Sequence, residues 1–537
     1  MRMTGRMVVA GAAVMAVLGV SNERVAGGPP PKGIELKALG AYTALDEDGK
    51  VIFDNAAVEI SAFDPVTARA FVTFGEAPRV DIVDLSDPTD PQLFDTIDLT
   101  PWGTGAHSTS VSVRDGVLAV AIPQGEDDTA PGKVAFFDTD GVLINEVTVG
   151  TLPDMLTFTP NGDVLLVANE GQPNGDYDFD PEGSVSLIDL RGGVASLTAA
   201  DVTDIGFTAF NGATLDPSIR IFGPGATVAQ DLEPEYIAVS HDSKTAWVTL
   251  QENNAIATID LKTRQVTALM GLGFKDHSIA GQGLDGSKDN QALIKTWPVL
   301  GMYMPDAIAT LKSGNQTFLV TANEGDVRDY DGFSEAVEIE DIALDETAFP
   351  LPQTLKLSAA GIGKLKVTSV NGNTDGDADY DKLYAFGARS FSIWSPDGTL
   401  KFDSGDALEQ ITKAAHPNNF NASNTNNTRD DRSDDKGPEP EGITVASLFG
   451  RTYIFVMLER IGGVVVYDAT VPTAPTFVQY INTRNFGAAG NTQAAGDRGA
   501  EAARVVPAEL SPNGKPLLIV SNEVSGSLRV FEIAQVK

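Results

Sequence analysis

Residues 429–460 read RDDRSDDKGPEPEGITVASLFGRTYIFVMLER. A charged loop gives way at Pro440-Glu441 to an apolar run, a turn follows at Phe449-Gly450, and a second apolar run from Tyr453 to Leu458 closes on Glu459-Arg460. Two runs of strand length around a turn signal form an antiparallel hairpin. The same order returns at Pro153-Asp154 to Glu170, at Pro234-Glu235 to Glu252 and at Pro305-Asp306 to Glu324. The chain is therefore a set of copies of one unit, and its function belongs where the copies converge.

Working outward, most hairpins are followed by a third apolar run with an acid four positions on, as in Val80–Asp84, Val134–Asp138, Val185–Asp189, Ile256–Asp260, Val464–Asp468 and Leu528–Glu532. Phe391–Ser395 is a weaker copy and Val337–Asp341 a displaced one. Turns such as Thr159-Pro-Asn-Gly162 and Ser511-Pro-Asn-Gly514 separate the runs. This pattern predicts an all-β protein, a single β-propeller of seven or eight blades over residues 37–537. Residues 171–183, 270–300, 326–380 and 404–437 are too polar for core, so they read as long loop insertions on one face.

The formal net charge is −36 and cysteine is absent. The charge argues against nucleic-acid and anionic-membrane partners, and the absence of cysteine excludes disulfides, thiolate metal sites and cysteine nucleophiles. Arg2 and Arg6 before the apolar run Met7 to Val20 read as a signal peptide over 1–26, with a Gly/Pro-rich linker over 27–36. The run is too short for a membrane span, so the mature chain is expected to be a secreted, periplasmic or extracellular monomer without a transmembrane segment.

In a propeller, an acid fixed at the start of each innermost strand produces a ring around the channel. Asp154, Glu235, Asp306, Glu441 and Glu501 would form that ring, joined by the closing acids Glu170, Glu252, Glu324, Glu459 and Glu523. Convergent carboxylates repel unless a cation or a proton neutralises them, and calcium, with six to eight oxygen ligands, suits such a site. The runs Asp176-x-Asp178-x-Asp180 and Asp375-x-Asp377-x-Asp379-x-Asp381 have calcium-loop spacing without the glycine and glutamate of an EF-hand. Arg328, Arg389, Arg432 and Arg460 stand out against the acidic background as forks for phosphate oxygens, or as simple partners of neighbouring acids. The four histidines, His107, His241, His277 and His416, show no metal-ligand spacing.

The motifs GTLPDMLTFTPNG, DLEPEYIAVS, MPDAIAT, TANEGDVRDY, AFGARSFSIW, RSDDKGPEPEGI and LERIGGVVVYDAT together resemble the choice-of-anchor I family, which includes a cell-surface glycoprotein of biomineralising cells and bacterial chains labelled alkaline phosphatase. More distantly, GPEPEG and the Glu-Arg pair resemble the calcium-dependent propeller phytases. The resemblance implies an exported calcium-binding propeller with metal-dependent phosphomonoesterase activity, or a non-catalytic module for mineral, polysaccharide or protein. The expected metal ligands are Glu235, Asp306, Glu324, Glu439, Glu441 and Glu459, with Asp375, Asp377 and Asp379 at a loop site. The expected phosphate contacts are Arg328, Arg389, Arg432, Lys436 and Arg460. One departure stands out: Gly499-Ala500-Glu501-Ala502 replaces the family's Gly-Pro-Glu-Gly.

Overall fold

Blades are four-stranded antiparallel sheets, and the described residues make seven of them. The computed structural model describes residues 33–536 except 47, 55, 104, 126–127, 359 and 490–491, so the expected signal peptide lies outside the described residues. Blades 1 to 4 are each built of four strands consecutive in the chain, from Ala57–Asp64 as the innermost strand of blade 1 to Gln265–Gly271 as the outermost of blade 4. Blade 5 pairs Ile308–Ser313 and Gln316–Asn323 with Ser390–Trp394 and Leu400–Asp403, and blade 6 covers Pro440–Leu448 to Thr476–Ile481. No described helix is long and apolar enough to cross a membrane.

Closure uses the two ends of the described chain. Gly33–Thr43 pairs antiparallel with Ser527–Val536, from Gly33 opposite Val536 to Thr43 opposite Ser527, as the outermost strand of blade 7. This strand begins inside the stretch expected to be linker. Deleting residues 33–43 would bare an edge of Ser527–Val536 and remove Ile34 and Leu36, which are buried against blades 6 and 7. The truncated chain is expected to melt at a lower temperature and to aggregate in light scattering.

The displaced copy Val337–Asp341 is not a blade, which leaves seven blades among the described residues. Its first two residues lie in the strand Ala336–Glu338, which belongs to a five-stranded mixed sheet with Phe274–Asp276, Leu300–Met302, Lys366–Thr368 and Tyr384–Ala385. The insertions 270–300 and 326–380 are thus not solvated loops. Leu284, Val299, Ile339, Ile362, Leu365 and Val367 are spaced singly along polar sequence, yet they bury together as a separate core. The insertion 404–437 is also ordered, by the helix Ala407–Ala415 and by its own asparagines: Asn421 donates to Glu409 and Ser433, and Asn424 donates to Glu459.

Antiparallel connectivity decides where the insertions lie. Within each blade the start of the innermost strand, the end of the second strand and the exit of the outermost strand share one face, while the tight first turn faces the other way. Register agrees: Pro153 opposes Asn169, Pro234 opposes Leu250, Pro440 opposes Leu458 and Ala500 opposes Asn522. All four insertions therefore leave from the face that carries the opening and closing acids.

Candidate functional site at the channel mouth

The opening acids sit where the innermost strand breaks register. Pairing skips between Pro153 and Met155, between Pro234 and Ile237, between Pro440 and Ile443 and between Ala500 and Ala503, so Asp154, Glu235, Glu441 and Glu501 occupy bulges. A bulge re-aims one side chain, here toward the axis. The backbone just before several of these starts is left-handed, with φ 47° at Leu152, 42° at Met304 and 48° at Glu439. Non-glycine residues hold such angles only where the surroundings dictate them.

Blade 1 adds an acid that the sequence reading missed. Its pairing skips from Ala57 to Ser61, and Glu59 joins Asp154, Asp306 and Glu501 around a cavity of about 140 Å³, with Thr109 in the blade 2 position. Glu59 lacks the preceding proline, so only its place ahead of an apolar strand signalled it. Six of the seven described blades thus carry a carboxylate at or just before the innermost strand, and four of these acids line this cavity.

Burial raises these acids, and their mutual repulsion raises most of them further. Glu59 is pushed up to about 8 by burial and then by Glu523, Asp154 and Glu76. Asp154 is pushed up to about 6 by burial. Burial lifts Glu235 well above the carboxylate range, followed by Glu252 and Asp306, and lifts Glu441 likewise, followed by Glu324 and Glu501. Glu235 and Glu441 both repel Asp306, which places them at one end of the channel.

The closing acids stand over this ring. One oxygen from each of Glu324, Glu441 and Glu459 lies within 4.8 Å of the other two, a span that a single calcium with Ca–O bonds of ~2.3–2.6 Å bridges. Oε2 of Glu441, of Glu235 and of Glu252 is buried without a hydrogen-bond partner. An unpaired buried carboxylate oxygen is costly, so these three atoms ask for a cation or a proton. Around them Gln251 Nε2 donates to Glu324 at 2.9 Å and Asn424 Nδ2 to Glu459 at 2.7 Å, fixing both carboxylates.

Glu439 behaves differently from the ligand expected of it. Arg432 donates to its Oε1 at 2.7 Å and 2.9 Å, while Arg460 Nε at 2.9 Å and Lys436 Nζ at 3.2 Å reach Oε2. Burial alone would raise its pKa, but Lys436, Arg460 and Arg432 outweigh burial and hold it well below the carboxylate range. Both oxygens are spent on cations, which makes Glu439 the anchor of the basic residues. Lys436 also pairs with Glu324, and Arg460 Nη1 reaches Glu459 at 2.7 Å.

Arg328 and Arg389 do not join this cluster. Arg328 is 2% exposed, pairs with Asp231 at 2.8 Å and Glu233 at 2.9 Å, and lies over the Phe222 ring. Arg389 spends its terminal nitrogens on Glu409 and on the carbonyls of Asp285, Ser433 and Asp435, which pins the 404–437 insertion to blade 5. Asp375, Asp377 and Asp379 lie away from the ring in a loop closed by its own hydrogen bonds, Asp377 N to Asp375 and Asp379 N to Asp377. Among the described residues they form no cluster of metal-ligand spacing.

The chain is similar to several known proteins. Gigasin-3a of Magallana gigas is 32% identical over 184 residues, covering 32% of this chain and 64% of that protein. The mesenchyme-specific cell surface glycoprotein of Strongylocentrotus purpuratus is 29% identical over 297 residues, covering 48% of this chain and 37% of that protein. The chain thus spans less than two thirds of the length of either relative. Among solved structures, the WD40 domain of Toxoplasma gondii coronin matches with a TM-score of 0.49 and 9% identity, over 95% of this chain and 88% of that one. The family profile of the choice-of-anchor I domain matches residues 59–472, from the Glu59 bulge through the third strand of blade 6, and stops short of the departure at Gly499–Ala502. With its acid-ringed channel and most of its length inside that match, the chain belongs to the choice-of-anchor I family.

Proposed function

We propose that this protein is an extracellular binding module whose channel mouth holds a divalent cation, calcium by its oxygen donors, and presents it with Lys436 and Arg460 to an anionic partner. The observation that carries the reading is the convergence of Glu324, Glu441 and Glu459 within 4.8 Å, with Glu441 Oε2 unpaired. Placement outside the cell rests on the signal peptide expected from residues 1–26 and on the cell-surface relative. The anionic partner, a phosphate ester or an acidic mineral or polysaccharide surface, would meet the cation and the two bases together, since a bound metal draws oxyanions that a bare acidic mouth repels.

Calcium-assisted phosphomonoester hydrolysis is the second reading, favoured by Arg460 and Lys436 standing beside the three carboxylates. A bound calcium would supply the polarisation of the ester oxygen. Lys436 and Arg460 would orient the phosphate, whereas Arg328 and Arg389, buried and paired with Asp231, Glu233 and Glu409 outside the cluster, would act only by holding the insertions in place.

Metal analysis and calcium titration of the purified chain, with Glu441→Gln as the paired variant, test the site. Uptake of calcium that the variant loses is the expected result, and a wild-type chain that takes up none defeats both readings. A p-nitrophenyl phosphate assay with and without chelator then separates them. Turnover abolished by chelator and by Glu441→Gln selects the hydrolase, and absence of turnover selects the binding module.

A further inference from the structure

Beyond the acid ring the channel changes character. A second cavity of about 480 Å³ continues along the axis, walled by the innermost strands of all seven blades, with Ser61, Ser110, Thr157, Thr444 and Arg504 among its lining. Tyr236 lines both cavities and stands between the carboxylates and this hydroxyl-rich tube.

Arg504 has no hydrogen bond, ion pair or ring contact from its side chain among the described residues, in a chain where acids outnumber bases 74 to 38. Its side chain keeps open surface although blades surround it, so it faces the lumen. The arginines of the mouth, Arg432 and Arg460, pair with Glu439 and Glu459, whereas Arg504 presents its guanidinium to the lumen with no counter-charge beside it.

The wall offers donors to match. Ser110 Oγ accepts the amide of Leu156 at 3.2 Å, and Ser61 Oγ accepts the hydroxyl of Ser521 at 2.9 Å. Each therefore keeps its own proton to give to the lumen. The Tyr236 hydroxyl has no hydrogen-bond partner among the described residues and is a further donor.

The geometry points to a small-oxyanion site inside the channel, with Arg504 as its charge and Tyr236, Ser61 and Ser110 as hydroxyl donors, separate from the cation site at the mouth. An oxyanion of phosphate or carboxylate type fits the fork and the hydroxyls together. The site does not depend on the mouth reading, because no residue of the Glu324, Glu441 and Glu459 set belongs to it.

Titration calorimetry of the full chain with inorganic phosphate, in calcium-free buffer of low ionic strength, tests it. Wild type is expected to bind one phosphate, Arg504→Gln to bind it about tenfold or more weakly, as loss of a charged hydrogen bond implies, and Arg504→Lys to retain part of the affinity. The surface variant Arg191→Gln, remote from the channel, should bind as wild type does. No uptake by wild type, equal affinity in Arg504→Gln, or an equal loss in Arg191→Gln overturns the site. If Arg504→Gln fails to fold, Tyr236→Phe takes its place, and phosphate affinity equal to wild type in that variant overturns the site as well.

Discussion

Calcium is expected to raise the melting temperature of this protein more at pH 8 than at pH 5. The direction follows from the acids of the ring. Asp154 is lifted to about 6, Glu252 to about 7 and Glu59 to about 8, against unfolded values near ~4. A carboxyl group whose folded pKa is raised contributes stability that is fully present below its unfolded pKa and is lost as pH rises through the folded one. The metal-free protein should therefore weaken between about pH 5 and 8 as the ring ionises. Asp189 and Asp397, held down at about 2 by hydrogen bonds from Arg191 and from Ser395, change state far below that window and do not oppose the trend. A cation competes with protons for the same oxygens, so its benefit grows over the same range, reaching about 2.7 kcal/mol at a hundredfold excess over Kd. Scanning calorimetry of chelator-treated protein, with and without calcium at both pH values, measures this. An equal calcium shift at both pH values, or a metal-free protein that grows more stable toward pH 8, refutes the account.

Glu439→Gln should be among the most damaging single changes at the mouth. The carboxylate is fully buried and holds Arg432, Arg460 and Lys436, so its removal leaves three cations short of their common counter-charge. Breaking a buried ion pair by deleting one partner costs about 3–5 kcal/mol, and glutamine keeps the shape and the left-handed backbone while losing the charge. The melting temperature should fall by several degrees. Calcium affinity should fall too, because Lys436 and Arg460 then lean on Glu324 and Glu459 and compete with the cation. Asp435, which pairs with Arg432 at 3.2 Å, provides the contrast: it is less enclosed, and Asp435→Asn should cost far less. A Glu439→Gln variant that melts with wild type would show that the three bases find other partners, and would remove Glu439 from its anchoring role.

The sequence alone determined the repeat, because alternating apolar runs, Pro-Asn-Gly turns and recurrent Pro-acid starts are local signals set by strand and turn chemistry. It also determined which end of each blade carries the acids, since a hairpin that opens and closes on a carboxylate must bring both to one face. It could not separate Glu439 from Glu441, two positions apart: one is saturated by bases and the other has an oxygen left over, a difference made by Arg432, Lys436 and Arg460 closing on the strand start. Nor could it see that 270–300 and 326–380 share a core, because Val299, Ile339 and Val367 are isolated apolar residues in polar sequence and only the fold of the insertion stacks them. Whether Val337–Asp341 is an eighth blade, and whether Arg504 meets a partner or an open lumen, are likewise properties of chain closure. Ring closure fixes which distant strands become neighbours, and no local pattern encodes that distance.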